Sequence, residues 1–194
     1  MDYFFVFLFG AIIATLAVWA RGRFLGFVGQ SPEDYADTPD TFDIREHLNG
    51  PILCEGVIFG PNGRVSSRFV ADFHASWDGD NGRMTEHFRY ATGETQDREW
   101  KLTLLSDGKI RAEAPDLIGV GEGKQSGSGV RLNYRIKLPD SAGGHVLDAI
   151  DWMYLVENGT IVNRSQFRKF GIKVAELVAT MRPVEPKDQA KEAA

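Results

Sequence analysis

Val130-Arg131-Leu132-Asn133-Tyr134-Arg135-Ile136-Lys137-Leu138 changes from apolar to polar at every step. That period of two belongs to a β-strand with one buried face and one wet face. The same alternation places Phe69, Ala71, Phe73, Ala75 and Trp77 on one face, and Trp100, Leu102 and Leu104 repeat it. Turn signals separate these runs at near-regular spacing: Pro61-Asn62-Gly63, Asp78-Gly79-Asp80-Asn81-Gly82, Thr92-Gly93-Glu94, Ser106-Asp107-Gly108 and Asn158-Gly159. The one helical hint among them is a short turn near Thr41 to Leu48. The pattern predicts an all-β domain of nine or ten short strands in sequential hairpins. Such an antiparallel up-and-down meander removes its edges most simply by closing into a β-barrel.

Upstream the composition is different. Tyr3 to Ala20 carries no charged side chain, and Arg21 and Arg23 follow it. At about 1.5 Å per residue the run reaches roughly 27 Å, close to the ~30 Å hydrocarbon core of a bilayer. It is apolar on every face, it follows Met-Asp with no basic leader, and Trp19 stands where a cleavage site needs a small residue. The reading is one uncleaved transmembrane helix over 1–24. The two arginines after it favour a domain on the cytoplasmic side of the membrane. Gly, Ser, Pro and acidic residues then suggest a tether over 25–50, with Pro32 and Pro39 breaking any helix. The barrel is expected over 51–182, and a charged, Ala-rich disordered tail over 183–194.

The chain has 194 residues and a net charge of −5, so no basic stripe exists to bind nucleic acid. A single cysteine, Cys54, excludes an internal disulfide and, in its apolar strand, is expected to be inert. No cofactor or metal is expected: His47, His74, His87 and His145 lack a zinc motif's spacing. Gly119-Val120-Gly121-Glu122-Gly123 lacks the following helix that would take a phosphate, and reads as a kinked strand.

Turns set register, so pairings can be worked out. A two-residue loop at Asn158-Gly159 puts Val156 opposite Ile161, Tyr154 opposite Asn163, Trp152 opposite Ser165 and Ile150 opposite Phe167. Met153, Leu155 and Val162 then share the other face, a possible docking patch. A three-residue loop at Thr92-Gly93-Glu94 puts Phe88 opposite Arg98 and Glu86 opposite Trp100. Glu86 and Arg98 become diagonal neighbours on the face of Met84, Phe88, Tyr90, Trp100 and Leu102. Two opposite charges on an apolar inner face should pair, because burying either alone costs several kcal/mol. They are read as a structural ion pair or as the polar anchor of a ligand head group. Asp148 and Asp151 flank an aromatic stretch and add a further candidate carboxylate.

With those residues in view, the chain resembles a bacterial family of uncharacterised proteins, domain of unknown function 3833. The resemblance rests on Arg68-Phe69, Glu86-His-Phe-Arg-Tyr90 with Gly93, Arg98-Glu-Trp100, and Ala114-Pro-Asp116 with Gly119 and Gly121. Tyr134, Asp151-Trp-Met-Tyr154, Asn163-Arg164 and Lys169-Phe-Gly171 continue it, so it spans roughly Pro51 to Arg182. It implies a lipocalin-like barrel, no assigned activity, and an address near lipid metabolism, since members tend to be encoded beside lipid-modifying enzymes. Many members resemble lipoproteins, from which this chain departs by its uncleaved span. The combined expectation is a protein of the bacterial inner membrane whose barrel binds a lipid or other apolar small molecule. Phe69, Phe73, Trp100, Tyr134, Trp152 and Tyr154 would supply contact area, and Glu86, Arg98 and Asn163 would orient a polar head. Two alternatives stand beside it: an accessory module docking a membrane enzyme through Met153, Leu155 and Val162, and a lipid-modifying enzyme using Glu86 or Asp151 as general acid or base.

Overall fold

The computed structural model of the chain describes residues 2–184. Ten antiparallel strands make up one sheet: β1 (Gly50–Phe59), β2 (Val65–Asp78), β3 (Asn81–Tyr90), β4 (Thr95–Leu104), β5 (Lys109–Glu113), β6 (Gly121–Ser126), β7 (Gly129–Lys137), β8 (Val146–Leu155), β9 (Ile161–Lys169) and β10 (Ile172–Pro183). Each pairs with its neighbours in sequence, and β10 returns to β1, from Ile52 opposite Pro183 to Phe59 opposite Glu176. The sheet is thus the closed up-and-down barrel that the period of two predicts. Val130, Leu132, Tyr134 and Ile136 of β7 are all buried, as their alternation requires. The glycines of β6 are needed for close approach: a Cβ on Gly123 would lie 2.3 Å from the Arg131 carbonyl oxygen.

Two hairpins differ from expectation, with unequal consequences. The β3–β4 loop is Ala91-Thr92-Gly93, one residue earlier than expected, because the Tyr90 N–H donates to the Glu94 carbonyl at 2.9 Å. Glu86 now stands directly opposite Arg98, and Met84 opposite Trp100. That shift is even, so every side chain keeps its predicted face.

The β8–β9 loop is longer than the expected Asn158-Gly159 pair. A two-residue type I′ turn needs positive φ at both central residues. Only Gly159 has it, at 79°, so Glu157 joins the loop and the Val156 N–H donates to the Thr160 carbonyl at 3.0 Å. Tyr154 pairs with Val162, Trp152 with Arg164, Met153 with Asn163 and Asp151 with Ser165. One step of register turns a strand over. Asp151 and Met153 therefore enter the bore, while Trp152 and Tyr154 face outward.

Residues 25–50, expected to be a loose tether, are packed on the barrel. Phe27 is buried with the Arg164 guanidinium 4.8 Å from its ring centre. A 3₁₀ turn at Pro32–Tyr35 is closed by a reciprocal capping box of Ser31 and Asp34. Tyr35 then lies across Gly127 and Gly129, and a Cβ on Gly127 would meet the Tyr35 carbonyl oxygen at 1.8 Å. Its ring covers Trp152 and Tyr154 at 5.3 and 5.5 Å. Next, the short helix α2 (Ile44–His47), capped by Asp43, plugs one end of the barrel. Phe42, Ile44 and Leu48 are 0, 1 and 2 % exposed, and Trp77 Nε1 donates to the Leu48 carbonyl at 2.8 Å. Gly, Ser and Pro suggest slack by composition, but a few large apolar side chains each contribute roughly 2 kcal/mol of burial and dock the segment.

Ahead of this strap, helix α1 (Asp2–Phe24) stands clear of the barrel, and Tyr3–Phe24 is long and apolar enough to cross a membrane. At the other terminus Pro183 ends β10 and the Val184 N–H donates to the Pro51 carbonyl at 3.0 Å. The rest of the expected tail, 185–194, lies outside the described residues.

Candidate functional site

The plugged barrel retains an internal cavity of about 110 Å³. An apolar cavity of about 150 Å³ takes a benzene molecule, so this smaller one matches a short run of acyl chain. Its wall is mostly apolar, with Phe69, Phe73, Met84, Leu132 and Met153 prominent. Along one side runs a continuous polar arc, which the strands assemble from both halves of the sheet.

The arc begins at the β3–β4 pair. Arg98 Nη1 donates to Glu86 Oε2 at 3.4 Å, and Trp100 Nε1 donates to Glu86 Oε1 at 3.1 Å. Arg98 also grips Asp116 with two nitrogens, Nε to Oδ2 at 2.7 Å and Nη2 to Oδ1 at 3.1 Å. Asp116 reaches it because β5 is short and pairs with β4 only from Lys101 to Leu104. The loop after β5 fills the vacant stretch, pinned to β7 where the Lys137 N–H donates to the Asp116 carbonyl at 2.8 Å. The guanidinium also sits 4.7 Å from the Trp100 ring centre.

Across the bore the Trp100 ring meets the Tyr134 ring edge-on at 5.3 Å. The Tyr134 hydroxyl donates to Asp151 Oδ2 at 3.4 Å, while Asn163 Nδ2 and Ser165 Oγ donate to Asp151 Oδ1 at 2.5 and 2.8 Å. Burial pushes the Glu86 carboxyl up to about 7, against the opposing pull of Arg98 and the Trp100 hydrogen bond. Burial raises Asp151 as well, against hydrogen bonds from Ser165, Asn163 and Tyr134. For Arg98 burial works against the charge, yet Glu86 and Asp116 outweigh it and raise its pKa. Cys54 also lines the cavity, and burial pushes its thiol up, away from the reactive thiolate.

Of the residues expected at a site, Glu86, Arg98, Trp100, Tyr134 and Asn163 come together in this wall. Trp152 and Tyr154 do not. They stack on each other outside the bore, 5.7 Å apart, and the Tyr154 hydroxyl donates to Gln30 Oε1 of the strap at 2.8 Å. The docking patch also separates: Met153 lines the cavity and Leu155 packs against the core, while Val162 lies on the outer parity. Sequence reasoning gave Asp116 no role, since nothing in its loop's spacing links it to Arg98. Asp151 is a candidate carboxylate and Ser165 is expected on the inner face, but the one-step register error puts Asp151 on the opposite face and so hides its meeting with Asn163 and Ser165. A second space, an outer groove of about 730 Å³, borders Pro115 and Asp116 and shares Phe73, Glu86 and Arg98 with the cavity. Among the described residues no three of His, Cys, Asp and Glu gather as a metal site.

Comparison with known proteins agrees with this architecture. The sequence profile of a family described as "Protein of unknown function (DUF3833)" matches residues 23–183. No curated protein matches the chain. Among solved structures, the S-type phycobiliprotein lyase CPES from Guillardia theta superposes with a TM-score of 0.55 at 11 % identity, covering 80 % of this chain and 98 % of that one. Rv2717c from M. tuberculosis superposes with a TM-score of 0.53 at 14 % identity, over 72 % of this chain and 94 % of its own. At such identities the likeness is one of fold, that of lipocalin-like barrels.

Proposed function

Since the chain belongs to the DUF3833 family, described as proteins of unknown function, its role has to be read from the barrel, and we propose that it binds a slender apolar or amphiphilic molecule inside the bore. The observation that carries this is the cavity: about 110 Å³ of space, walled by apolar side chains and edged by one polar arc. A barrel built only as a scaffold fills its interior with side chains. The polar groups give a ligand one fixed orientation, and Phe69, Phe73 and Trp100 give it contact area. Helix α1 anchors the protein in the cell membrane, which concentrates the barrel beside lipids and lipid-derived molecules. Arg21 and Arg23 favour a cytoplasmic barrel.

The test is native mass spectrometry of the full chain released from nanodiscs. We expect an adduct with the mass of a small amphiphile, lost in Cys54→Phe, which fills the cavity. An adduct-free wild-type mass after incubation with membrane extract would overturn the reading. A second reading, a reaction on the bound molecule, is favoured by Glu86, whose carboxyl is held near 7 and can exchange a proton at neutral pH. It expects turnover of a bound lipid that Glu86→Gln abolishes while binding persists.

A further inference from the structure

The polar arc is rich in acceptors and short of donors. Three of the five Arg98 N–H groups already face carboxylate oxygens, two on Asp116 and one on Glu86. The Trp100 ring packs beside the guanidinium. The other donors are engaged too: Trp100 Nε1 on Glu86, and Tyr134, Asn163 and Ser165 on Asp151. The carboxylates, in contrast, have lone pairs to spare. Asp151 Oδ2 receives only the 3.4 Å Tyr134 contact, and Glu86 Oε2 only the 3.4 Å Arg98 contact. Glu86 and Asp151 line the cavity beside a single cation, Arg98, which is shared with the half-buried Asp116, so the wall has a surplus of acidic groups. Such a surplus is costly unless protons or a cation neutralise it.

We propose that the cavity selects molecules whose polar end is a cation or hydrogen-bond donor, amines foremost, and rejects carboxylates. This rests on the binding reading above and narrows it. An ammonium group placed between Glu86 and Asp151 finds acceptors on both sides and does the neutralising that a proton on Glu86 otherwise does. A carboxylate in the same place meets two acidic groups, and the Arg98 guanidinium is already turned to Asp116 and Glu86, the arrangement by which a site discriminates against a close analogue.

The measurement is isothermal titration of the full chain in phosphatidylcholine nanodiscs, corrected with empty nanodiscs, using n-hexylamine, 1-hexanol and hexanoate as probes. Hexylamine should bind at least tenfold more tightly than hexanoate, with hexanol between them. Asp151→Asn should shrink the amine-to-carboxylate ratio several-fold. Glu86→Gln carries the same expectation and serves if Asp151→Asn does not fold. Hexanoate binding as tightly as hexylamine, or an unchanged ratio in both variants, overturns the selectivity while leaving the binding barrel standing. Failure of all three probes to bind overturns the barrel's binding role and the selectivity with it.

Discussion

Glu86 is the side chain whose ionisation matters most to the molecule. Its pKa rises from 4.5 to about 7 because burial penalises the charged form. The folded state therefore holds the proton more tightly than the unfolded chain does. The stability this confers is complete below about pH 4.5 and is lost as pH climbs through 7. At 1.36 kcal/mol per unit the loss is on the order of 3 kcal/mol. Denaturant titrations at pH 5 and pH 8 should show wild type losing that much more stability than Glu86→Gln; equal losses would mean Glu86 keeps its charge throughout. Arg98 gives a second residue-scale prediction. Arg98→Ala strands two carboxylates and should cost about 3–5 kcal/mol in urea unfolding, whereas Arg98→Met combined with Glu86→Leu should recover much of it.

At the scale of elements, the strap and plug contribute most to the barrel's closure. Phe42→Ala should destabilise by about 3–5 kcal/mol, as removal of a fully buried aromatic does. Gly127→Ala should instead lift the strap, because its Cβ collides with backbone at Tyr35. Limited proteolysis should then cut between residues 25 and 48 while the barrel resists. These elements also show what the sequence could convey. Strong alternation in β2, β4 and β7 identified their inner faces, since three or more apolar residues at period two leave no other choice. β8 was ambiguous: Trp152 and Tyr154 are apolar on one parity and Met153 and Leu155 on the other, so only the turn could choose between them. The strap was illegible because its anchors, Phe27, Tyr35, Phe42 and Ile44, follow no period and dock on surfaces made much later in the chain, from Gln125 to Arg164. Asp116 was illegible for a similar reason, being placed by a gap in strand pairing.

On the scale of the whole molecule, closure rests on the last strand. Removing β10 leaves β1 and β9 as bare edges, and a chain ending at Lys169 should aggregate with no cooperative thermal transition. A folded, monomeric truncate would show that the other nine strands suffice. The strap has a consequence in time as well as in space. Phe42, Ile44 and Leu48 leave the ribosome ahead of every strand, yet the loop they rest on, around Gln125 and Gly127, arrives much later, and β10 arrives last of all. During synthesis the cork exists before the bottle. Its apolar side chains wait, close to the bilayer if α1 has already inserted, until the last hairpin seals the wall around them.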